Sequence, residues 1–243
     1  MSSPVAGAAV RSGRGRGGPG RPAGRFPAGR FPAGRSPAVA PGSWVVRSPV
    51  VRLPRAADSE TADSLVRRVG RGAPRLGPVR LVAVDGPSGA GKSTFARVLL
   101  SALTAAGFHA ALLGTDDFAT WREPVGWWPR LRDGVLEPLA RGRAGRYRRT
   151  EWPGGVPVPG AFVDVPVPEV LLLEGVSSGR RSVARRLSAL IWMEPPDSAT
   201  RLERAVLRDG AETRPELVRW QRFERVWFRS DRTGQRADFV LRG

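Results

Sequence analysis

Eight residues, Gly86-Pro87-Ser88-Gly89-Ala90-Gly91-Lys92-Ser93, match the pattern G-x-x-x-x-G-K-[ST] in full. The chemistry open to such a segment is phosphate binding. Its glycines let backbone N–H groups turn inward onto phosphate oxygens, and a helix starting at the lysine adds the positive end of its dipole. Lys92 is expected to reach the β- and γ-phosphates of a nucleoside triphosphate, and the Ser93 hydroxyl to ligate Mg²⁺. Thr94 continues the motif. With 30 glycines in 243 residues and Lys92 the only lysine, chance yields this match about 0.002 times. Lys92 stands alone among 39 arginines. A lysine kept against that bias suits a compact, mobile ammonium in a tight backbone cradle.

Three further groups have types and spacings that fit phosphoryl chemistry. Leu171-Leu172-Leu173-Glu174-Gly175 is an apolar run ending in a carboxylate, so Glu174 is expected to hold Mg²⁺ or its water. Thr115-Asp116-Asp117-Phe118 follows a second apolar run and supplies acids for deprotonating an acceptor hydroxyl, unless it is simply a polar turn. Arg201, Arg204 and Arg208 recur at helical spacing, one face of a helix that either clamps phosphates or is only solvated.

These residues need a frame. Leu81–Asp85 reads as a buried strand before the glycine-rich turn, with a helix from Lys92 to about 106 behind it. Phe108–Leu113, Val170–Leu173, Ala189–Met193 and Asp238–Leu241 read as four more strands. Helices are expected over 58–70, 131–141, 180–187, 197–209 and 214–229, and a proline-rich loop over 153–168. Strands alternating with helices imply an α/β, doubly wound parallel sheet whose ligands sit at the carboxyl ends of its strands.

Residues 1–57 differ in kind. The unit Arg25-Phe26-Pro27-Ala28-Gly29 repeats with little change through Ala38, and the segment holds ten arginines and no acid. Such a composition predicts a disordered tail in front of a domain over 58–243. The net charge of +18 suggests nucleic acid, but only +8 belongs to residues 58–243, so any such contact is expected through the tail alone. The absence of cysteine excludes disulfides. No apolar run is long enough for a membrane span, and no signal-like h-region is seen, so a cytoplasmic protein without membrane contact is expected.

On these motifs the chain resembles the uridine kinase family of P-loop kinases, relatives of pantothenate kinase and phosphoribulokinase, over about residues 80–243. The resemblance rests on Val84–Thr94, Thr115–Phe118, Leu172–Gly175, Thr200–Asp209 and the closing Ala237-Asp238-Phe239-Val240-Leu241. It implies strand order 2-3-1-4-5 in a five-stranded sheet with helices on both faces, and an arginine-rich helical lid over about 197–229. It implies ATP and Mg²⁺ as cofactors and a small, nucleoside-like alcohol as acceptor. Asp116 falls at the family's catalytic-base position, with Lys92 and Arg204 assisting and Arg201 and Arg208 at the lid. Ala119 stands where the family carries a tyrosine, and no histidine follows Thr150-Glu151-Trp152. Trp121, Trp127, Trp128 and Trp152 are candidates for a stacking surface in their place, and Arg146, Arg148 and Arg149 for an anion contact. The alternative is a P-loop ATPase with a regulatory role and no acceptor.

Overall fold

Five side chains in succession, Leu81 to Asp85, are buried, a pattern that suits a strand covered on both faces. The computed structural model describes residues 51–53 and 59–242, all within the compact unit Val46–Gly243. The strands are β1 (Val51–Leu53), β2 (Arg80–Asp85), β3 (Ala110–Gly114), β4 (Gly145–Glu151), β5 (Val158–Val165), β6 (Val170–Glu174), β7 (Leu187–Glu194) and β8 (Phe239–Arg242). The α-helices are α1 (Ser59–Arg71), α2 (Lys92–Ala105), α3 (Trp128–Leu131), α4 (Glu137–Ala140), α5 (Ser198–Asp209) and α6 (Arg214–Asp231).

Six strands form one sheet in the order β1-β8-β7-β2-β6-β3, every neighbouring pair parallel. The five expected from sequence stand in the order 2-3-1-4-5. Alternation along the strands divides the core into two layers. Val82, Val84, Leu172, Ile191 and Met193 pack with α1 and α2 through Leu65, Val69, Phe95 and Leu99. Leu81, Ala83, Leu171, Leu173 and Leu190 face the other way, onto Phe118, Trp127, Leu131, Leu136 and Leu139. Among the described residues no helix is long and apolar enough to cross a membrane.

Four local expectations need correction. Val51–Leu53, inside the stretch expected to be disordered, pairs in parallel with Phe239–Leu241 as the sixth strand. Composition does not register that β8 has an open edge able to accept a short apolar segment. The remainder of the tail, residues 1–50 and 54–57, lies outside the described residues. The expected loop at 153–168 contains β5, which forms an antiparallel hairpin with β4. Pro159 fits there because a two-stranded hairpin has an edge on both sides. The helix at 131–141 begins at Trp128 and carries a π-helical stretch, Arg132–Leu136. A Cβ at Gly134 would lie 2.7 Å from the Arg146 carbonyl oxygen, so glycine here is what lets β4 rest against the helix. The helix at 180–187 is a 3₁₀ segment, Arg181–Arg186.

Candidate functional site

β2 ends at Asp85, and the chain turns through Gly86–Gly91 into α2. Gly89 sits at φ +74°, where a Cβ would also come within 2.9 Å of the Arg201 carbonyl oxygen. Glycine is required there for the turn and for the close approach of α5. Lys92 is buried and donates from Nζ to the Pro87 carbonyl at 2.8 Å, so its ammonium lies over the loop.

Parallel pairing sets Glu174 beside both Val84 and Gly114, bringing the ends of β2, β3 and β6 level. Ser93 Oγ donates to Glu174 Oε1 at 3.0 Å. Burial raises the Glu174 carboxyl above its ordinary range and nearby Asp116 adds to the rise, while Lys92 and the Ser93 hydrogen bond oppose it. β3 leads directly into a 3₁₀ turn, Thr115–Asp117, which puts the Asp116 side chain in the same cleft as Lys92, Ser93 and Glu174. Among the described residues nothing bonds to the Asp116 carboxylate. Its neighbour is committed elsewhere: Asp117 accepts from the Tyr147 hydroxyl at 2.5 Å and pairs with Arg149 at 3.2 Å. Burial first, then this hydrogen bond, raises the Tyr147 phenol.

The cleft has a volume of about 820 Å³. Arg204 and Arg208 line it from α5, and Arg208 is chelated by Asp209 through bonds of 2.6 Å, which favours its charged form. Arg201 separates from the other two. It is buried, pairs with Glu224 at 3.2 Å and donates to the Ser88 carbonyl at 3.0 Å. The spacing that aligned the three arginines does not hold them to one role, because Arg201, near the start of α5, is buried against Ser88 and Glu224 while the other two line the cleft.

The tryptophans divide as well. Trp121 and Trp152 line the cleft, edge to face with centroids 5.0 Å apart. Trp127 is buried in the core and Trp128 packs against it, both beneath the Arg180 guanidinium. Arg146, Arg148 and Arg149 do not line the cleft; they bond to Asp164, to the Gly160 carbonyl and to Asp117. A second, smaller cleft of about 610 Å³ between β7, β8 and α6 contains none of the expected site residues.

The cation set is small. Among the described residues no three His, Asp or Glu side chains converge, and Ser93 with Glu174 offers two oxygens at one point. That set fits Mg²⁺, which takes most of its octahedral ligands from phosphate oxygens and water. No protein-family profile matches the chain, and no curated protein matches it in sequence. Solved structures do match it. A possible uridine kinase from Bacillus stearothermophilus superposes with a TM-score of 0.54 at 16% identity, covering 75% of this chain and 97% of its own. A D-glycerate 3-kinase from Cryptococcus neoformans var. grubii gives a TM-score of 0.51 at 13% identity, covering 69% and 88%.

The chain has the fold of the P-loop kinases. Within that fold, three residues around the P-loop had no sequence signal strong enough to find them. Asp85 lies fully buried beneath the loop and accepts from the backbone N–H groups of Gly86, Ser177 and Gly179 at 2.7, 3.0 and 2.8 Å. Burial pushes its carboxyl up to about 7 against those three donors. Trp220 lines the cleft beside Trp121, and Glu224 lies behind it. In sequence both belong to the arginine-rich helix expected over 214–229, within the lid, where no spacing singles them out.

Proposed function

We propose that this protein is an ATP-dependent phosphotransferase that moves the γ-phosphate onto a hydroxyl of a small, nucleoside-like molecule. The observation that carries the reading is the Asp116 carboxylate, uncommitted and facing the same cleft as Lys92, Ser93 and Glu174. ATP bound with Mg²⁺ would supply the phosphoryl group and a cation to offset its charge. The backbone of Gly86–Thr94 is suited to hold the polyphosphate, with Lys92 leaving the Pro87 carbonyl for it. Ser93 and Glu174 would hold the cation. Asp116 would take the acceptor's proton as its oxygen attacks phosphorus, and Arg204 with Arg208 would meet charge on the transferred group.

The acceptor class rests on the cleft's other wall. Trp121, Trp152 and Trp220 donate their indole N–H groups to the Gly155 carbonyl, the Asp116 carbonyl and Glu224, so they offer carbon surface to a ligand. Such a wall suits a flat ring system carrying the hydroxyl. Between the two fold neighbours, described as acting on uridine and on glycerate, it favours the ring-bearing alcohol.

The test is a thermal-shift titration of nucleosides and of glycerate in the presence of a non-hydrolysable ATP analogue. A ligand that binds only the folded state raises Tm with its concentration. Nucleosides are expected to raise it and glycerate to leave it unchanged; the opposite pattern overturns the acceptor class.

A further inference from the structure

Three elements converge on one carboxylate. Glu224, on α6, is 1% exposed. Its Oε1 accepts the Ser88 backbone N–H at 2.8 Å and the Trp220 indole N–H at 2.7 Å, and its Oε2 pairs with Arg201 Nη1 at 3.2 Å. The same Nη1 donates to the Ser88 carbonyl oxygen at 3.0 Å. Ser88 is therefore gripped at both its N–H and its carbonyl by a buried ion pair.

Burying a charged pair costs more than packing two apolar side chains of the same size. What the pair provides that apolar packing cannot is a fixed set of polar bonds to the loop. Ser88 and Gly89 form the outer bend of the P-loop, and α5 lies against that bend closely enough to exclude a Cβ at Gly89. The Ser88 N–H is taken by Glu224, so the phosphate-binding N–H groups are those further along, towards Ser93. Trp220 links the junction to the cleft, since its ring lines the wall and its N–H meets Glu224.

We infer that Glu224, paired with Arg201, is a positioning residue for the P-loop, fixing the Ser88–Gly89 bend to α5 and α6 and tying it through Trp220 to the acceptor wall. This rests on the reading of the P-loop as the nucleotide site. A preformed bend spares the ligand the cost of ordering the loop, so nucleotide affinity depends on the junction. Because Trp220 and Ser88 share one carboxylate oxygen, a ring seated on the wall and a nucleotide on the loop influence each other, and reciprocally.

The experiment is calorimetric titration of ADP·Mg²⁺ into the full chain, with Tm recorded for each variant. Wild type must bind first; failure there rejects the nucleotide site itself and not the junction alone. Arg201→Met with Glu224→Leu together removes both charges and keeps the volume, a replacement that buried ion pairs often tolerate. Losing the charged bonds to Ser88 is expected to raise Kd about 10–100-fold while the protein still melts cooperatively. A folded double variant with wild-type Kd overturns the inference. If the double variant does not fold, Trp220→Phe decides, because it keeps an aromatic ring, though a smaller one, and removes the N–H donor to Glu224. It is expected to raise Kd several-fold, about the worth of one hydrogen bond, with Tm little changed. An unchanged Kd in that variant overturns the inference as surely.

Discussion

The Tyr147 hydroxyl donates to Asp117 Oδ2 at 2.5 Å, and Arg149 holds the other oxygen of the same carboxylate at 3.2 Å. This contact ties the β4–β5 hairpin to the turn after β3. It also gives two adjacent acids different work, because Asp117 is spent on the fold and Asp116 is left facing the cleft.

Asp116→Asn is accordingly expected to lower kcat by about 10²–10⁴ with nucleotide affinity held within a few-fold. Asp117→Asn is expected to lower Tm and to change kcat much less. Steady-state kinetics and thermal melts of both variants check the ranking. A larger kcat loss in Asp117→Asn would assign the base to the wrong residue.

Lys92→Ala is expected to abolish tight ATP·Mg²⁺ binding and leave the fold intact. Lys92→Arg is expected to fail as a rescue, because a guanidinium is planar and bulkier than the ammonium now seated on the Pro87 carbonyl. Calorimetry on both variants decides; wild-type affinity in the alanine variant would refute the phosphate cradle.

Asp85 makes stability depend on pH. Its folded value of about 7 lies above the ordinary 3.8, so between those values the folded state holds a proton that the unfolded chain releases. The resulting stabilisation is full below about 3.8, declines as pH rises and is gone above about 7. Wild-type Tm is therefore expected to fall between pH 5 and 8 by more than that of Asp85→Asn. Equal falls in the two proteins would show that Asp85 does not titrate in this window.

The lid arginines are expected to separate by experiment as they do in space. Arg201→Ala leaves Glu224 buried without its cation and is expected to cost about 3–5 kcal/mol of stability. Arg204 is exposed on the cleft, so Arg204→Ala is expected to leave Tm alone and to lower kcat more than ATP affinity. Wild-type kcat in Arg204→Ala would return this residue to the solvated surface.

The P-loop, the five main strands and the assignment of Glu174 to a strand end were legible because each is carried by a local run of residues, whereas the order of the strands followed only from the family resemblance. Gly86–Ser93 is a continuous motif, and the apolar runs of β2, β6 and β7 mark strands buried on both faces. The hairpin was missed because its prolines outweighed the alternation in Val158–Val165. The role of Glu224 was illegible for another reason: it lies 136 residues from Ser88, and only the packing of α5 and α6 on the loop brings the two together. Arg201 was grouped with Arg204 and Arg208 by spacing alone, although burial, which spacing does not report, separates them.

The most direct measurement is product analysis by ³¹P NMR after incubation with ATP, Mg²⁺ and a panel of nucleosides. A phosphate monoester of an added nucleoside is expected, formed only with acceptor present and lost in Asp116→Asn. Inorganic phosphate as the sole product, released at the same rate with and without acceptors, would contradict the phosphotransferase reading and identify an ATPase.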